Sequence, residues 1–397
     1  LAMLYQVRGL MQRFTHHTRA APLHRACIVA TTRRPLLGGH ICAPLQSAAV
    51  EATTTTLAAM AAPRNVNLLV VSGQDSPELE VLKQLPPTVT IVAVGRNLDD
   101  LAHLTPEQWD GITVLLNCGV GKNAGKRDDI RALWPKLRNL EWMHSASAGL
   151  EHLLFPELVG GPVTLTNAKG VYSHSLAEYC LTACNWFAKD LPRLRRQQAA
   201  AQWEPYDVEE LRGKTLGIIG YGDIGQACGR LAKAFRMRVV ALRRRVDLSA
   251  EEKAAGIVDD IFPPERLHDL MAASDYVVMA TPYTPSTHRL VDAAAIAAMR
   301  PHGVFINLGR GKCVDEAALV EALQAGRIRG AALDVFETEP LPADSPLWKL
   351  DTVLLSPHCA DRTKEFQFES LGFFVENMGR FVAGQPLSNV CDKRSGY

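Results

Sequence analysis

The chain has 397 residues, of which 47% are hydrophobic and 21% charged, a composition that suits a globular protein with room for two domains. Its formal net charge of +1 gives no electrostatic reason to expect a nucleic-acid partner. No apolar run reaches the roughly 18 residues of a membrane span, and the nine cysteines lack CxxC or His/Cys ligand spacing, so we expect free thiols, no membrane segment and no metal site.

The first 50 residues differ from the rest of the chain. They hold six arginines and several threonines, and the first acidic residue is Glu51. This bias is typical of an organellar transit peptide, for a chloroplast or a mitochondrion, and the alternative is a disordered basic tail on a cytoplasmic protein. An Ala/Thr-rich run extends to Ala62 and indicates a linker. We therefore predict that residues 1–64 are disordered and that the folded part begins near Asn65.

Beyond this segment, apolar runs alternate with helical patterns. The first set predicts a glycine-bearing loop over 118–121, helices over 78–84 and 129–137, and strands over 66–72, 89–94, 112–117 and 140–144. The second set begins with a long helix over 178–201, and its strands fall at a glycine motif and over 238–242, 276–280, 304–308, 330–335 and 352–355. Further helices are predicted over 265–273, 292–299, 316–325 and 363–383, and the last of these could return to pack on the first unit.

This alternation predicts an α/β fold with parallel sheets. We expect two Rossmann-like parallel-sheet domains with an interdomain cleft. The substrate domain should comprise residues 65–165 and 357–397, and the dinucleotide-binding domain residues 166–356. The carboxyl ends of the strands should face the cleft, where ligands of such sheets bind.

The glycine motif follows the predicted strand at the start of the second sheet. Gly220 permits a tight turn, Gly222 lets a pyrophosphate approach the backbone, and Gly225 lets the next helix pack close to the strand. Asp223 and Ile224 would open that helix, whose N–H groups would face the phosphates. Glycine triplets also occur in ordinary turns, but the position between a strand and a helix favours dinucleotide binding.

Arginines occupy the position where NAD-binding units place an acidic residue. Eighteen residues after Gly225 stands Arg243, followed by Arg244 and Arg245. A carboxylate there bonds the ribose 2′-hydroxyl of NAD, whereas a guanidinium can bind the 2′-phosphate of NADP. We therefore predict NADP(H) as the preferred cofactor, with NAD(H) possible. The alternative is that the three arginines are solvated at the end of the strand and bind no ligand.

Three residues with catalytic side chains follow later strands of the second unit. Arg310 lies in Asn-Leu-Gly-Arg-Gly, Glu339 in Asp-Val-Phe-Glu-Thr-Glu-Pro, and His358 in Ser-Pro-His-Cys-Ala. Taken singly, such residues are commonly surface charges or loop residues. Because all three stand at C-terminal strand ends, we expect them at the edge that faces the cofactor.

In this order and at this spacing, the motifs resemble those of the D-isomer-specific 2-hydroxyacid dehydrogenases over roughly residues 142–391, with weaker similarity back to residue 65. The resemblance implies that Arg310 binds the substrate, that Glu339 is a carboxylate partner, and that His358 is the acid/base. These residue types suit the reduction of a 2-keto acid. Imidazolium can protonate the carbonyl oxygen, a carboxylate favours that charged form, and a guanidinium fork matches the substrate carboxylate.

The same resemblance implies further contacts. Backbone amides would hold the substrate carboxylate in the turn formed by Ser147, Ala148 and Gly149. The nicotinamide would be lined by Thr281, Pro282 and Asp334. A homodimer is also implied, with the predicted helix over 178–201 as a plausible contact element.

The substrate and the class of protein remain open at this stage. The arginine cluster resembles the NADPH-dependent glyoxylate/hydroxypyruvate reductases of the family, which favours a small 2-keto or 2-hydroxy acid. The alternative is a corepressor-like protein that senses the cofactor without turnover. Trp142 lines the pocket or belongs to the core, and Tyr172 and His174 line the pocket or only cap the helix that follows.

Overall fold

The computed structural model describes residues 64–118 and 127–396. The predicted transit segment and linker up to residue 63 lie outside the described residues, as does most of the glycine-bearing loop expected over 118–121. The described residues form two parallel sheets covered by helices, which is the predicted α/β architecture.

The first sheet has five strands in the order β2-β1-β3-β4-β5, and neighbouring strands are parallel. These strands are β1 (Val66–Val71), β2 (Val89–Val94), β3 (Val114–Asn117), β4 (Trp142–Ser145) and β5 (Thr164–Asn167). The α-helices between them are α1 (Pro106–Gly111), α2 (Arg127–Leu133) and α3 (Pro156–Gly160). Shorter 3-10 segments occupy Pro77–Gln84 and Trp134–Lys136.

The second sheet has seven parallel strands in the order β12-β11-β10-β9-β6-β7-β8. They are β6 (Thr215–Ile219), β7 (Arg238–Leu242), β8 (Asp260–Phe262), β9 (Tyr276–Met279), β10 (Val304–Asn307), β11 (Gly330–Leu333) and β12 (Val353–Leu355). The α-helices are α4 (Ser173–Ala188), α5 (Leu191–Ala199), α6 (Asp223–Ala234), α7 (Ala250–Ala255), α8 (Leu267–Ala273), α9 (Ala293–Ala297), α10 (Glu316–Gln324) and α11 (Phe366–Val382). Turns of 3-10 helix occupy Pro264–Arg266, Gly311–Cys313 and Pro346–Lys349.

The last helix, α11, packs on the first sheet rather than on the second. Its apolar face joins the buried side chains of β1, β3 and β4 in one cluster, and Phe374 is fully buried there. The ring of Trp142 lies 5.3 Å from that of Phe374 and 5.1 Å from that of Phe381. Trp142 is therefore a core residue, which settles the alternative that the sequence left open. The chain thus crosses from the first sheet to the second and returns.

The helix predicted over 178–201 is wrong as one continuous element. The structure has two helices, α4 and α5, separated at Asp190, which adopts a left-handed backbone with φ 46°. The side chain of Asp190 accepts from the amide of Arg193 and caps the second helix, and Pro192 stands in its first turn. Proline suits that position because the first amides of a helix need no intrahelical partner. The Leu/Ala/Arg pattern continues across the break and conceals it.

Parallel pairing places the carboxyl ends of the second sheet along one edge. Residues that follow directly on these ends carry the predicted chemistry, and they include Gly220, Arg243, Thr281, Arg310, Asp334 and His358. The turn after β4 of the first sheet, which contains Gly149, lies against Arg310 of the second. The sheet edges thus define a site between the two sheets.

Candidate active site

A cavity of about 1340 Å³ lies at this edge and is lined by residues from both sheets. Every site residue predicted from the sequence lines it, except Gly225. Cavities that hold small molecules are typically about 300–1,000 Å³, so this one has room for a dinucleotide and a small acid together.

The glycines of the motif are required by the local backbone. Gly220 adopts φ +96°, and a Cβ there would lie 3.0 Å from the carbonyl oxygen of Ala280. A Cβ on Gly225 would overlap with the carbonyl oxygen of Gly220. Gly225 therefore lies behind the turn and allows α6 to approach β6, which explains why it does not line the cavity.

Gly222 faces open space. Nothing lies within 4 Å of the position that its Cβ would take, and it is the N-cap residue of the 12-residue helix α6. A glycine N-cap offers no side-chain acceptor, so the first amides of α6 are left to other acceptors. Asp223 begins the helix and its carboxylate lies 3.2 Å from the ammonium group of Lys169. This arrangement fits a pyrophosphate, and the residues present therefore suit a dinucleotide cofactor.

Arg243 is held by the carboxylate of Glu252, a residue of helix α7. Its Nη1 lies 2.5 Å and its Nη2 3.0 Å from the two carboxylate oxygens of Glu252, and Nη2 also donates to the carbonyl of Asp247. Hydrogen bonding to Arg243 lowers the pKa of Glu252 to about 2. The guanidinium of Arg243, which we expected to bind a 2′-phosphate, is thus hydrogen-bonded to Glu252. Arg243 and Arg244 both line the cavity.

His358 and Glu339 form a hydrogen-bonded pair on the cavity wall. Nδ1 of His358 lies 2.7 Å from Oε2 of Glu339, and Oε1 of Glu339 accepts from the amide of Phe336 at 3.0 Å. An ionised carboxylate can only accept, so Nδ1 carries the proton and Nε2 is the nitrogen left for a ligand. The hydrogen bond from the amide of Phe336 fixes the carboxylate of Glu339, and this carboxylate fixes the orientation of the imidazole.

The loop that carries His358 is fastened to Asp334. One carboxylate oxygen of Asp334 accepts from the hydroxyl of Ser356 and from the amides of Cys359 and Ala360, at 2.6–3.1 Å. The amide of His358 donates to the carbonyl of Asp334, and His358 adopts φ 50°. A left-handed backbone is costly for a residue with a side chain and persists where the surroundings impose it, commonly at functional sites. Asp334 thus both lines the cavity and fixes the loop that carries the imidazole of His358.

The pair shifts the titration of both groups. The hydrogen bond that His358 donates to Glu339 raises the pKa of His358 and outweighs the opposing effect of burial. Burial alone would raise the pKa of Glu339, but the hydrogen bonds from His358 and Phe336 lower it. The imidazolium therefore persists to higher pH than in an isolated histidine, as a proton donor requires.

We predict that Glu339→Gln moves the alkaline limb of the pH–rate profile for keto-acid reduction to lower pH. The acid form of His358 exists below its pKa, and Glu339 raises that pKa. The measurement is kcat/KM against pH for both proteins. Glu337→Gln is the matched control, because Glu337 pairs with Arg289 at 3.4 Å and is similarly exposed. An unshifted limb in Glu339→Gln would show that this pair does not set the profile.

Arg310 reaches across the cavity from the second sheet to the first. Its Nη1 donates to the carbonyl of Gly309 at 2.8 Å, and its Nε donates to Oε1 of Glu151 at 3.0 Å. Its Nη2 lies so close to Gly149 that a Cβ on that residue would overlap with it. The guanidinium is therefore laid against the turn that contains Ser147, Ala148 and Gly149.

Side chains from three elements hold that turn in shape. The hydroxyls of Tyr172 and Ser370 both donate to the carbonyl of Ala146. The side-chain amide of Asn167 donates from Nδ2 to the carbonyl of Ala148 at 2.6 Å. Within residues 64–118 and 127–396, the backbone N–H groups of Ala148 and Gly149 find no acceptor. Two free amides beside a guanidinium form a suitable site for a carboxylate.

Tyr172 and His174 differ in whether they line the cavity. Tyr172 lines the cavity and is the N-cap residue of α4, but its side chain makes no cap hydrogen bond. His174 is exposed on α4 and is absent from the cavity lining. The alternative that these side chains only cap the helix is therefore wrong for Tyr172.

Several cavity residues were not predicted from the sequence. The charged and aromatic ones among them include Glu151, His152, Lys169, Trp348, Asp361 and Arg362. Four of these residues could have been predicted from their neighbours in the sequence, because Glu151 and His152 follow Gly149 closely, and Asp361 and Arg362 follow His358 closely. Lys169 stands in a loop and Trp348 in the 3-10 turn Pro346–Lys349, and the approach of both to the cavity depends on the tertiary fold.

The part of the chain that the structure describes contains no helix with the length and apolarity of a membrane span. Over the same residues, no group of three or more His, Cys, Asp or Glu side chains is arranged to hold a metal ion.

Comparison with known proteins gives a consistent result. Residues 182–360 match the family model described as D-isomer specific 2-hydroxyacid dehydrogenase, NAD binding domain. The chain is 33% identical over 258 residues to D-3-phosphoglycerate dehydrogenase of Methanocaldococcus jannaschii, and this match covers 64% of the chain and 48% of the relative. The chain thus spans about half the length of that archaeal protein.

Two shorter proteins are matched over more of their length. The chain is 33% identical over 264 residues to glyoxylate/hydroxypyruvate reductase B of Citrobacter koseri, covering 65% of the chain and 80% of the relative. The crystal structure of an NADPH-dependent glyoxylate/hydroxypyruvate reductase from Sinorhizobium meliloti, in complex with NADP and sulfate, superimposes with a TM-score of 0.68 at 26% identity. That similarity covers 84% of this chain and all of the other.

Proposed function

We propose, since the chain belongs to the D-isomer-specific 2-hydroxyacid dehydrogenase family, that it transfers a hydride between NADP(H) and a small 2-keto or D-2-hydroxy acid. One observation carries this proposal. The hydrogen-bonded pair of His358 and Glu339 shares a single cavity with Arg310 and with the open glycine turn at Gly222.

The residues have complementary parts in a reduction. A bound nicotinamide cofactor supplies the hydride, which adds to the carbonyl carbon. Nε2 of His358 gives its proton to the carbonyl oxygen, and Glu339 stabilises the imidazolium before that transfer. Arg310 and the free amides of Ala148 and Gly149 bind the substrate carboxylate, and Arg310 also polarises the ketone. In the oxidation direction His358 accepts the hydroxyl proton.

The substrate class follows from the charges of the cavity and from the relatives. Arg310 and the free amides of the Gly149 turn suit a carboxylate, and His358 suits a ketone oxygen, so a small 2-keto acid carries a group for each part of this cavity. Two relatives are named for glyoxylate and hydroxypyruvate. We therefore propose glyoxylate, hydroxypyruvate or a similar small 2-keto acid. The test is NADPH consumption with glyoxylate, hydroxypyruvate and pyruvate, with the chirality of any chiral product determined.

Turnover with at least one of these acids, giving a D-2-hydroxy acid where the product is chiral, is the expected result. Binding of NADPH without turnover on any of them would favour the corepressor-like alternative. An L-product would contradict the stereochemistry that is proposed from membership of the D-isomer-specific family.

The preference for NADP rests on the arginines after β7. Arg243 and Arg244 line the cavity where the ribose of a dinucleotide would lie, although Glu252 balances the charge of Arg243. We predict that Arg243→Asp and Arg244→Asp each lower the ratio of kcat/KM for NADPH to that for NADH by about tenfold or more, since a carboxylate repels the 2′-phosphate. Arg244→Asp is the cleaner variant because it leaves the pair of Arg243 with Glu252 intact.

The control for these variants is Arg131→Asp. Arg131 is an exposed arginine of helix α2, paired with Glu157 at 2.7 Å. It should leave the cofactor ratio unchanged. An unaltered ratio in both Arg243→Asp and Arg244→Asp would remove the basis for NADP preference and leave NAD(H) as the equal candidate.

Two expectations from the sequence stay proposals. A homodimer is supported by exposed apolar residues on and after α5, where Leu194 is 45% exposed and Trp203 94% exposed. An organellar location is supported only by the composition of the segment before residue 64, with a cytoplasmic protein as the alternative.

A further inference from the structure

The proposed substrate-binding arginine has a partner of opposite charge on the other sheet. Glu151 lies two residues beyond Gly149 in the turn after β4, and Arg310 follows β10. Oε1 of Glu151 accepts from Nε of Arg310 at 3.0 Å, and each side chain is about one-third exposed. The pair thus joins the two walls of the cavity at the place where the substrate would bind.

The geometry of the pair leaves one edge of the guanidinium available. Glu151 accepts from Nε, on the side edge of the guanidinium. Oε2 of Glu151 and Nη2 of Arg310 both lie close to Gly149, where a Cβ on that residue would meet them. The carbonyl of Gly309 accepts from Nη1, which has a second hydrogen. Within the described residues Nη2 donates no hydrogen bond, so Nη1 and Nη2, which form the outer edge, both keep hydrogens for a carboxylate, which an arginine binds through such a fork.

Glu151 is itself fixed and charged. Arg127 donates from Nη2 to the backbone carbonyl of Glu151 and so anchors the turn. Burial alone would raise the pKa of Glu151, but the charge of Arg310 and hydrogen bonds lower it. His152 also faces the pair, and burial lowers the pKa of His152. At neutral pH the pair is therefore a carboxylate against a guanidinium.

We propose that Glu151 is a positioning residue for substrate binding: by holding the side edge of Arg310, it presents the outer edge to the carboxylate of the 2-keto acid. This inference rests on the proposed function. An arginine side chain has four rotatable bonds and loses considerable freedom when it is fixed, so a pre-positioned fork binds a carboxylate more tightly than a mobile one. Without Glu151, Arg310 would carry its full charge but would sample several orientations.

The two effects of Glu151 on binding oppose each other, and their balance is testable. Its charge weakens the attraction of Arg310 for a second carboxylate, whereas its hydrogen bond orients Arg310. Glu151→Gln removes the charge and keeps an oxygen that can accept from Nε. Glu151→Ala removes both. If orientation dominates, the alanine variant loses more than the glutamine variant, and if charge competition dominates, both variants bind substrate more tightly.

The experiment measures KM and kcat for the 2-keto acid, and the Kd of oxamate for the NADPH-loaded protein by calorimetry. Oxamate carries the carboxylate and is not reduced, so its binding is measured without turnover. We expect Glu151→Ala to raise KM and the oxamate Kd by about 10–100-fold, the loss typical of a hydrogen bond to a charged group, with a smaller change in kcat. Glu151→Gln should recover a substantial part of the lost affinity.

Glu157→Gln is the matched control. Glu157 belongs to the same domain and pairs with Arg131 at 2.7 Å, away from the cavity lining. Its KM and oxamate Kd should equal those of the unaltered protein. Unchanged or tighter oxamate binding in both Glu151 variants would overturn the proposal, as would a loss of kcat and thermal stability with KM unchanged, which indicates a structural role only.

The outcomes separate this proposal from the proposed function. If the unaltered protein binds oxamate in a manner that depends on Glu151 but turns over no keto acid, the positioning role stands and the enzymatic proposal fails. If Glu151→Ala does not fold, Glu151→Met decides, because it fills a similar volume without an oxygen that can accept from Nε. A loss of oxamate affinity in that variant supports the proposal, and unchanged or tighter binding contradicts it.

Discussion

Replacing His358 by glutamine will lower kcat for keto-acid reduction by about 10²–10⁴-fold, the contribution typical of a positioned general acid. Glutamine is polar and of similar reach, but its amide cannot transfer a proton at neutral pH. The interaction with Glu339 can be retained in part, because the amide N–H can donate to the carboxylate that now meets Nδ1 at 2.7 Å. The variant should therefore fold, and its Kd for NADPH should stay close to that of the unaltered protein.

His174→Gln is the matched control for this experiment. His174 is the exposed histidine at the start of α4 that does not line the cavity, so the same chemical change there should leave kcat unaltered. Turnover in His358→Gln comparable to that of the control would refute the role of His358 as acid/base. A loss of NADPH binding in His358→Gln would instead show that the loop fastened to Asp334 also shapes the cofactor site.

Replacing Gly222 by alanine will weaken NADPH binding by about 100-fold. The residue has φ −89°, which alanine adopts without strain, and nothing lies within 4 Å of the added methyl group. The fold should therefore be unaffected. The methyl group would occupy the space through which a pyrophosphate reaches the first amides of α6, and losing two charge-assisted hydrogen bonds costs about 3 kcal/mol or more, roughly 100-fold in Kd.

Gly372→Ala provides the control. Gly372 lies within α11, and an added Cβ would also meet nothing within 4 Å. It should leave NADPH affinity unchanged and, since alanine favours helix more than glycine does, should not reduce stability. NADPH affinity in Gly222→Ala equal to that of the control would show that the pyrophosphate does not bind at this turn.

The features that were predictable from the sequence are those that depend on local chemistry. Gly220 requires a positive φ, and Gly225 lies against the backbone of its own turn, so the spacing of the motif alone identifies them. Arg310, Glu339 and His358 each follow a strand by a few residues, and parallel pairing brings the ends of such strands to one edge. The α/β architecture and the edge that bears the site were therefore predictable.

The interactions that were not predictable join residues far apart in the chain. Glu151 and Arg310 are separated by 159 positions, and neither carries a sequence signal for the other. The pair of Arg243 with Glu252 depends on where α7 begins, because Glu252 also belongs to the capping box of that helix with Ser249. The strands β5 (Thr-Leu-Thr-Asn) and β8 (Asp-Ile-Phe) were not predicted, since neither contains an apolar run like those of the predicted strands.

The corepressor-like alternative uses the same fold and the same cofactor, so structural similarity does not separate it from an enzyme. What favours catalysis is the local arrangement of His358. Its Nδ1 is engaged by Glu339, its backbone is held in a left-handed conformation, and its pKa is raised by the hydrogen bond to Glu339. A protein that only senses the cofactor has no need for a proton donor fixed in this way.

Transfer of the hydride itself is the most direct test of catalysis. NADPH deuterated at C4 of the nicotinamide, on each face in turn, is incubated with the protein and the best of the 2-keto acids, and the product is examined by mass spectrometry. We predict that one of the two forms places a single deuterium on the carbon that carried the ketone, with one product molecule formed per NADPH consumed. A product without deuterium from either form, or NADPH bound and released unchanged with every acid, would contradict the assignment of this cavity as a hydride-transfer site.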